Sequence, residues 1–170
     1  SARSFFQVNP PIAEKMVQHL LDNLHLNDQT RVLELYAGVG LFSAFIAPKV
    51  SSLTAVESSG SACHDFITNL DEFDNVTLYE AQAEEVIPNL NLPMDVLFAD
   101  PPRSGLDPAV HDALGKLLPQ QIAYISCDPA TLARDLKKIL KKGYELVSVT
   151  PFDQFPQTGH VETVVFLERK

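Results

Sequence analysis

Ser126-Cys127-Asp128-Pro129 joins an apolar run, Ile122-Ala123-Tyr124-Ile125, to a segment with helical spacing that opens at Pro129. Proline suits a first helical turn, where its missing N–H has no partner to lose, and Asp128 is a good N-cap. Cys127 is therefore expected on a strand-to-helix turn near the positive end of a helix dipole. That setting lowers a thiol pKa and favours the nucleophilic thiolate; a buried packing cysteine is the alternative reading. Glu162 stands in an otherwise apolar run, either as an edge charge or as a desolvated carboxylate whose raised pKa suits proton abstraction. Asp100 precedes Pro101-Pro102-Arg103. Pro101 restricts Asp100 to extended backbone, giving a stiff wall with one carboxylate at its rim, or simply a structural turn.

Two further strand ends point to a nucleoside ligand. Gly38-Val39-Gly40 follows Arg31 to Ala37, and glycines there let backbone approach a ligand ahead of a helix N-terminus. Glu57 ends the next apolar run, where it can accept from two ribose hydroxyls; a solvated loop carboxylate is the alternative. A dinucleotide fingerprint would need glycine at position 43, where Ser43 stands.

The elements that must position these residues alternate. Helical spacing predicts helices over 10–24, 41–47, 61–70, 108–118 and 129–142, and apolar runs predict strands over 31–37, 52–57, 76–81, 96–100 and 121–126. Two more strands, 144–150 and 161–168, are joined by a connection too short for a crossover and should pair antiparallel. The expectation is an α/β domain: a doubly wound, mostly parallel, Rossmann-like sheet of seven strands with an antiparallel last strand. Ligands bind such sheets at the carboxyl ends of the strands.

Composition narrows the function classes. The 170 residues fit one domain, taken as 1–170, and the two cysteines make no disulfide framework or metal cluster. No metal ligand set is expected, and a reducing cytoplasm is the expected compartment. No apolar run reaches the length of a membrane span. The net charge of −9 argues against a broad phosphate-binding surface.

SFFQVNP, ELYAGVG, VESS, DPPRSGL, SCDPATLARDL and FPQTGHVET stand in this order over essentially the whole chain. In that pattern it resembles the RNA uracil-C5 methyltransferases, which use S-adenosylmethionine on tRNA and ribosomal RNA and often carry a TRAM domain. The resemblance implies a class I methyltransferase fold, Cys127 as nucleophile and Glu162 as general base. It implies cofactor contacts at Gln7, Tyr36, Gly38, Gly40, Glu57, Gln82 and Asp100, with S-adenosyl-L-methionine as cofactor. Leu41 and Gln82 depart from the residues usual in the family. The resemblance also implies an RNA substrate, held mainly by an N-terminal RNA-binding portion outside this chain. The basic set Arg134, Lys137, Lys138, Lys141 and Lys142 is either an RNA contact or the solvated face of a helix whose Leu132, Leu136, Ile139 and Leu140 pack inward. Two other readings remain: an amino-group methyltransferase using the Asp100-Pro101-Pro102 motif without a cysteine, and a non-catalytic cofactor-binding module.

Overall fold

The structure, a computed structural model, describes residues 9–90, 93–153 and 161–170. Among them, seven strands form one sheet in the order β3-β2-β1-β4-β5-β7-β6. They are β1 (Arg31–Leu35), β2 (Ser52–Glu57), β3 (Val76–Glu80), β4 (Val96–Ala99), β5 (Gln121–Ser126), β6 (Tyr144–Phe152) and β7 (Glu162–Arg169). The first five pair in parallel. β7 runs antiparallel to both β5 and β6. The doubly wound sheet with a reversed last strand is the expected architecture.

Alternation along the central strands divides the core in two. Val32, Leu53, Phe98, Ile125 and Phe166 face a cluster with α1 (Pro10–Asn23), α2 (Ser43–Ile46) and α3 (Gly60–Asn69), through Met16, Leu20, Ile46 and Phe66. Leu33, Leu97, Tyr124 and Val165 face the other cluster, with α4 (Ala83–Val86), α5 (Pro108–Leu117) and α6 (Pro129–Leu140), through Ala83, Val110, Leu114, Leu132 and Ile139. β1, β4 and β5 are covered on both faces, so they read as near-continuous apolar runs.

Three details differ from the sequence-based expectations. The helix expected over 41–47 with Pro48 as its stop begins later and shrinks to α2, followed by a 3-10 turn, Ala47–Lys49, that contains Pro48. α4 and the 3-10 turn Ile87–Asn89 fill the β3–β4 connection, where no helix was expected; each is too short to leave a periodic signal. Leu140, expected inward, is 39% exposed at the end of α6, and the buried face is completed by Asp135.

Candidate active site

The carboxyl ends of β1, β2, β4 and β5 open on one cavity of about 1030 Å³, which the start of β7 also reaches. Tyr36, Gly38, Glu57 and Gln82 line one part of it; Asp100, Arg103, Cys127 and Glu162 line the other. Gly40 does not line it, and Gln7 lies outside the described residues.

The β1 turn is shaped by tight backbone. Tyr36 has φ 61, a left-handed conformation that costs an aromatic residue about 1–2 kcal/mol. Burial, with Glu84 nearby, pushes its phenol up to about 12, so the hydroxyl stays a neutral donor. Gly40 has φ 84, and a Cβ there would lie 2.6 Å from the Leu70 side chain and 2.9 Å from Phe66. Only glycine lets this turn rest on α3. Asn69 Nδ2 ties the turn to the same helix by donating to the Val39 carbonyl at 2.9 Å.

Glu57, half-buried at the end of β2, is held from two sides. The Gly38 N–H donates to its Oε2 at 2.9 Å and the Ser59 N–H to its Oε1 at 2.7 Å. A carboxylate offers about four acceptor positions, so two remain for vicinal hydroxyls. Gln82 is exposed at the N-cap position of α4. Beneath the floor, Glu34 is buried and accepts from Ser43 Oγ at 2.6 Å. Burial, with Asp100 nearby, pushes its carboxyl up to about 8.

The second group gathers a thiol, two carboxyls and a guanidinium. Asp100 follows β4 directly, and its N–H donates to the Leu35 carbonyl at 3.3 Å. Burial pushes its carboxyl up to about 7, and Glu162 adds to the shift. Cys127 follows β5. Ser126 Oγ bridges the turn, accepting from the Asp128 N–H at 3.2 Å, and Asp128 caps α6 by accepting from the Thr131 N–H at 2.7 Å. The ladder pairs Ser126 with Thr163, so Cys127 and Glu162 are neighbours one position beyond it. Burial pushes Glu162 up, and the Arg103 guanidinium works against that shift.

The thiol departs from the sequence-based expectation. Burial, with Glu162 beside it, pushes Cys127 up rather than down; Arg103 pulls the other way by hydrogen bond and by charge. Arg103, quoted within the Asp-Pro-Pro-Arg motif but given no role, is the residue that sequence reasoning passed over. Its signal was the position three residues after a strand-end acid. Of the basic set on α6, Arg134 and Lys138 reach the cavity.

The arrangement joins a polar subsite suited to a ribose with a thiol, two elevated carboxyls and a guanidinium. Among the described residues no cluster of His, Cys, Asp and Glu could hold a metal ion, and no helix is long and apolar enough to cross a membrane.

Comparison with known proteins agrees with this geometry. An uncharacterised RNA methyltransferase of Listeria innocua is 39% identical over 175 residues, covering 100% of this chain and 39% of its own length. The chain thus spans about two fifths of the curated relatives it matches. The tRNA (uracil-54, C5)-methyltransferase of Pyrococcus abyssi, solved with S-adenosyl-L-homocysteine, superposes with a TM-score of 0.79 at 28% identity, over 97% of this chain and 40% of that one. An N-methyltransferase of Bradyrhizobium japonicum shares the fold at a TM-score of 0.73 and 15% identity, covering 94% of this chain and 98% of that one. Fold alone therefore does not choose between carbon and nitrogen as the methyl acceptor. The tRNA (uracil-5-)-methyltransferase model matches residues 1–170. With its class I methyltransferase sheet and a cysteine beside a carboxylate at the end of it, the chain belongs to the tRNA (uracil-5-)-methyltransferase family.

Proposed function

We propose that this chain is a catalytic domain that methylates carbon 5 of a uridine in tRNA or ribosomal RNA through a covalent Cys127 adduct. The observation that carries the reading is the juxtaposition of Cys127 and Glu162 on one cavity with Glu57. The cavity suits S-adenosylmethionine: Glu57 keeps acceptor positions for a ribose, and Tyr36 and Gln82 lie beside it. When bound, that cofactor supplies an electrophilic methyl group.

Carbon 5 of uracil is a weak nucleophile, and the chain's residues change that. Once its proton has passed to solvent, the Cys127 thiolate forms a bond to carbon 6, and the displaced double-bond electrons make carbon 5 nucleophilic. After carbon 5 has gained the methyl group, Glu162 removes its proton. The freed electron pair restores the double bond between carbons 5 and 6 and expels the thiolate. One difficult substitution becomes two easier steps. An elevated carboxyl makes Glu162 a stronger base for this proton transfer. Arg103 counters the negative charge on both partners. A target base must first leave its stack, at a cost of a few kcal/mol.

Trapping tests the reading. The full-length protein is incubated with transcribed RNA and S-adenosylmethionine and run on a denaturing gel. Glu162→Gln should accumulate a slow protein–RNA band, while Cys127→Ala and the double variant should give none. Methylation that survives Cys127→Ala would sink the covalent route and favour an amino-group acceptor.

RNA affinity is expected to lie mainly outside this chain, since its net charge is −9. Filter binding should give a dissociation constant no tighter than about 1 µM at physiological salt, the range of non-specific contacts. Nanomolar binding would overturn this and assign RNA contact to Lys137, Lys138 and Lys141.

A further inference from the structure

Asp135 is fully buried on a helix otherwise edged with lysines. An isolated buried carboxylate is costly, so its partners identify its task. Its Oδ2 accepts from the Leu106 N–H and from the Tyr124 hydroxyl, both at 2.9 Å. Its Oδ1 takes His111 Nε2 at 3.1 Å and Arg134 Nε at 2.9 Å. The donors belong to β5, α5, α6 and the segment after β4. They hold the carboxyl below its usual range although burial opposes them.

The segment after β4 gains most. Residues 101–107 line the cavity between Asp100 and α5. Two of its backbone groups are satisfied by adjacent α6 side chains: the Leu106 N–H by Asp135, and the Ser104 carbonyl by Arg134 Nη2 at 2.7 Å. Gly105, with φ 78, lets the segment lie flat on α6, because a Cβ there would run into Asp135, Thr131 and Arg134. Arg103 immediately precedes this fastened stretch. Asp135 itself does not line the cavity.

We propose that Asp135, with Arg134, is a positioning residue: the pair clasps residues 104–106 onto α6 and so fixes Arg103 against Cys127 at the helix's own N-terminal end. This rests on the Cys127 reading for its catalytic meaning, but not for its geometry. Among the described residues, the charged groups facing Cys127 are Glu162 from β7 and Arg103 from the clasped segment, with Asp100 at the end of β4 nearby. Loosening the clasp removes the Arg103 charge that favours the thiolate.

The test is the pH profile of Cys127 alkylation by iodoacetamide, in a Cys63→Ala background. Asp135→Asn removes a negative charge, which by charge alone would lower the thiol pKa. The clasp requires the opposite: a midpoint at least about 0.5 unit higher, or roughly threefold slower alkylation at pH 8. Arg134→Gln, partly exposed and so tolerable for folding, should shift the midpoint the same way. S-adenosylhomocysteine affinity, measured by calorimetry, should stay within about twofold in Asp135→Asn, whose side chain does not line the cavity. An unchanged or lowered midpoint in folded Asp135→Asn overturns the proposal; should that variant not fold, an unchanged midpoint in Arg134→Gln does so. Failure of the covalent reading shows separately, as methylation that survives Cys127→Ala.

Discussion

Glu162 stands opposite Cys127, one register position beyond Ser126 and Thr163, because β7 runs against β5. A parallel β7 would carry its first residue to the far end of the sheet. The reversal places a strand beginning where other strands finish, and brings a carboxylate to a thiol distant in sequence.

That contact adds to burial in pushing the thiol up. Glu162→Gln deletes a like charge beside Cys127 and should lower its alkylation midpoint; Arg103→Ala deletes the opposing cation and should raise it. Stopped-flow alkylation between pH 6 and about 10 reads both. Two unmoved midpoints would separate these groups from the thiol.

Glu57→Ala should weaken S-adenosylhomocysteine binding by at least about 1 kcal/mol, the scale of a hydrogen bond to a charged group. Part of the loss would come from the Gly38 and Ser59 amides it holds. Calorimetry showing wild-type affinity would place the ribose elsewhere.

Gly40→Ala should destabilise the fold by about 1–3 kcal/mol, through a positive φ and a methyl group driven into Leu70 and Phe66. Urea unfolding gives the number. A loss below about 0.5 kcal/mol, the range of ordinary surface substitutions, would mean the turn relaxes freely.

Glu34 gives stability a pH slope. Its carboxyl titrates near 8 in the folded protein and near 4.5 in the unfolded chain. Between those values the folded state holds a proton that the unfolded state has released, so stability falls as pH rises through the window. Glu34→Gln should flatten that slope, gaining at least about 1 kcal/mol relative to wild type between pH 5 and 8. Parallel unfolding curves for the two proteins would show that Glu34 titrates normally.

Much of this site could be read from residue order because its groups end strands: Cys127 before Asp128-Pro129, Asp100 before Pro101, Glu57 after a buried run. Parallel strands bring their carboxyl ends together, so adjacency in space followed from position in each run. What local patterns could not provide was insertion. Antiparallel pairing of the last two strands was legible from their short connection, whereas the placing of β7 between β5 and β6 depends on long-range packing. Asp135 was hidden by its basic neighbours; the clue was its spacing from Leu132 and Ile139, which puts an acid on the apolar face. The thiol was misjudged because a dipole argument sees the helix but not the desolvation and the carboxylate on another strand.

The order β5-β7-β6 also has a kinetic side. β6 precedes β7 in the chain, yet the slot beside β5 must stay open until β7 enters it. The pairs Gln121–Glu168 and Ser126–Thr163 close loops of roughly 40 residues, and such non-local contacts repay their closure entropy late in folding. A chain whose β7 has not inserted carries the proposed nucleophile without the group proposed to release it, so completion of the sheet and completion of the proposed pair are one event.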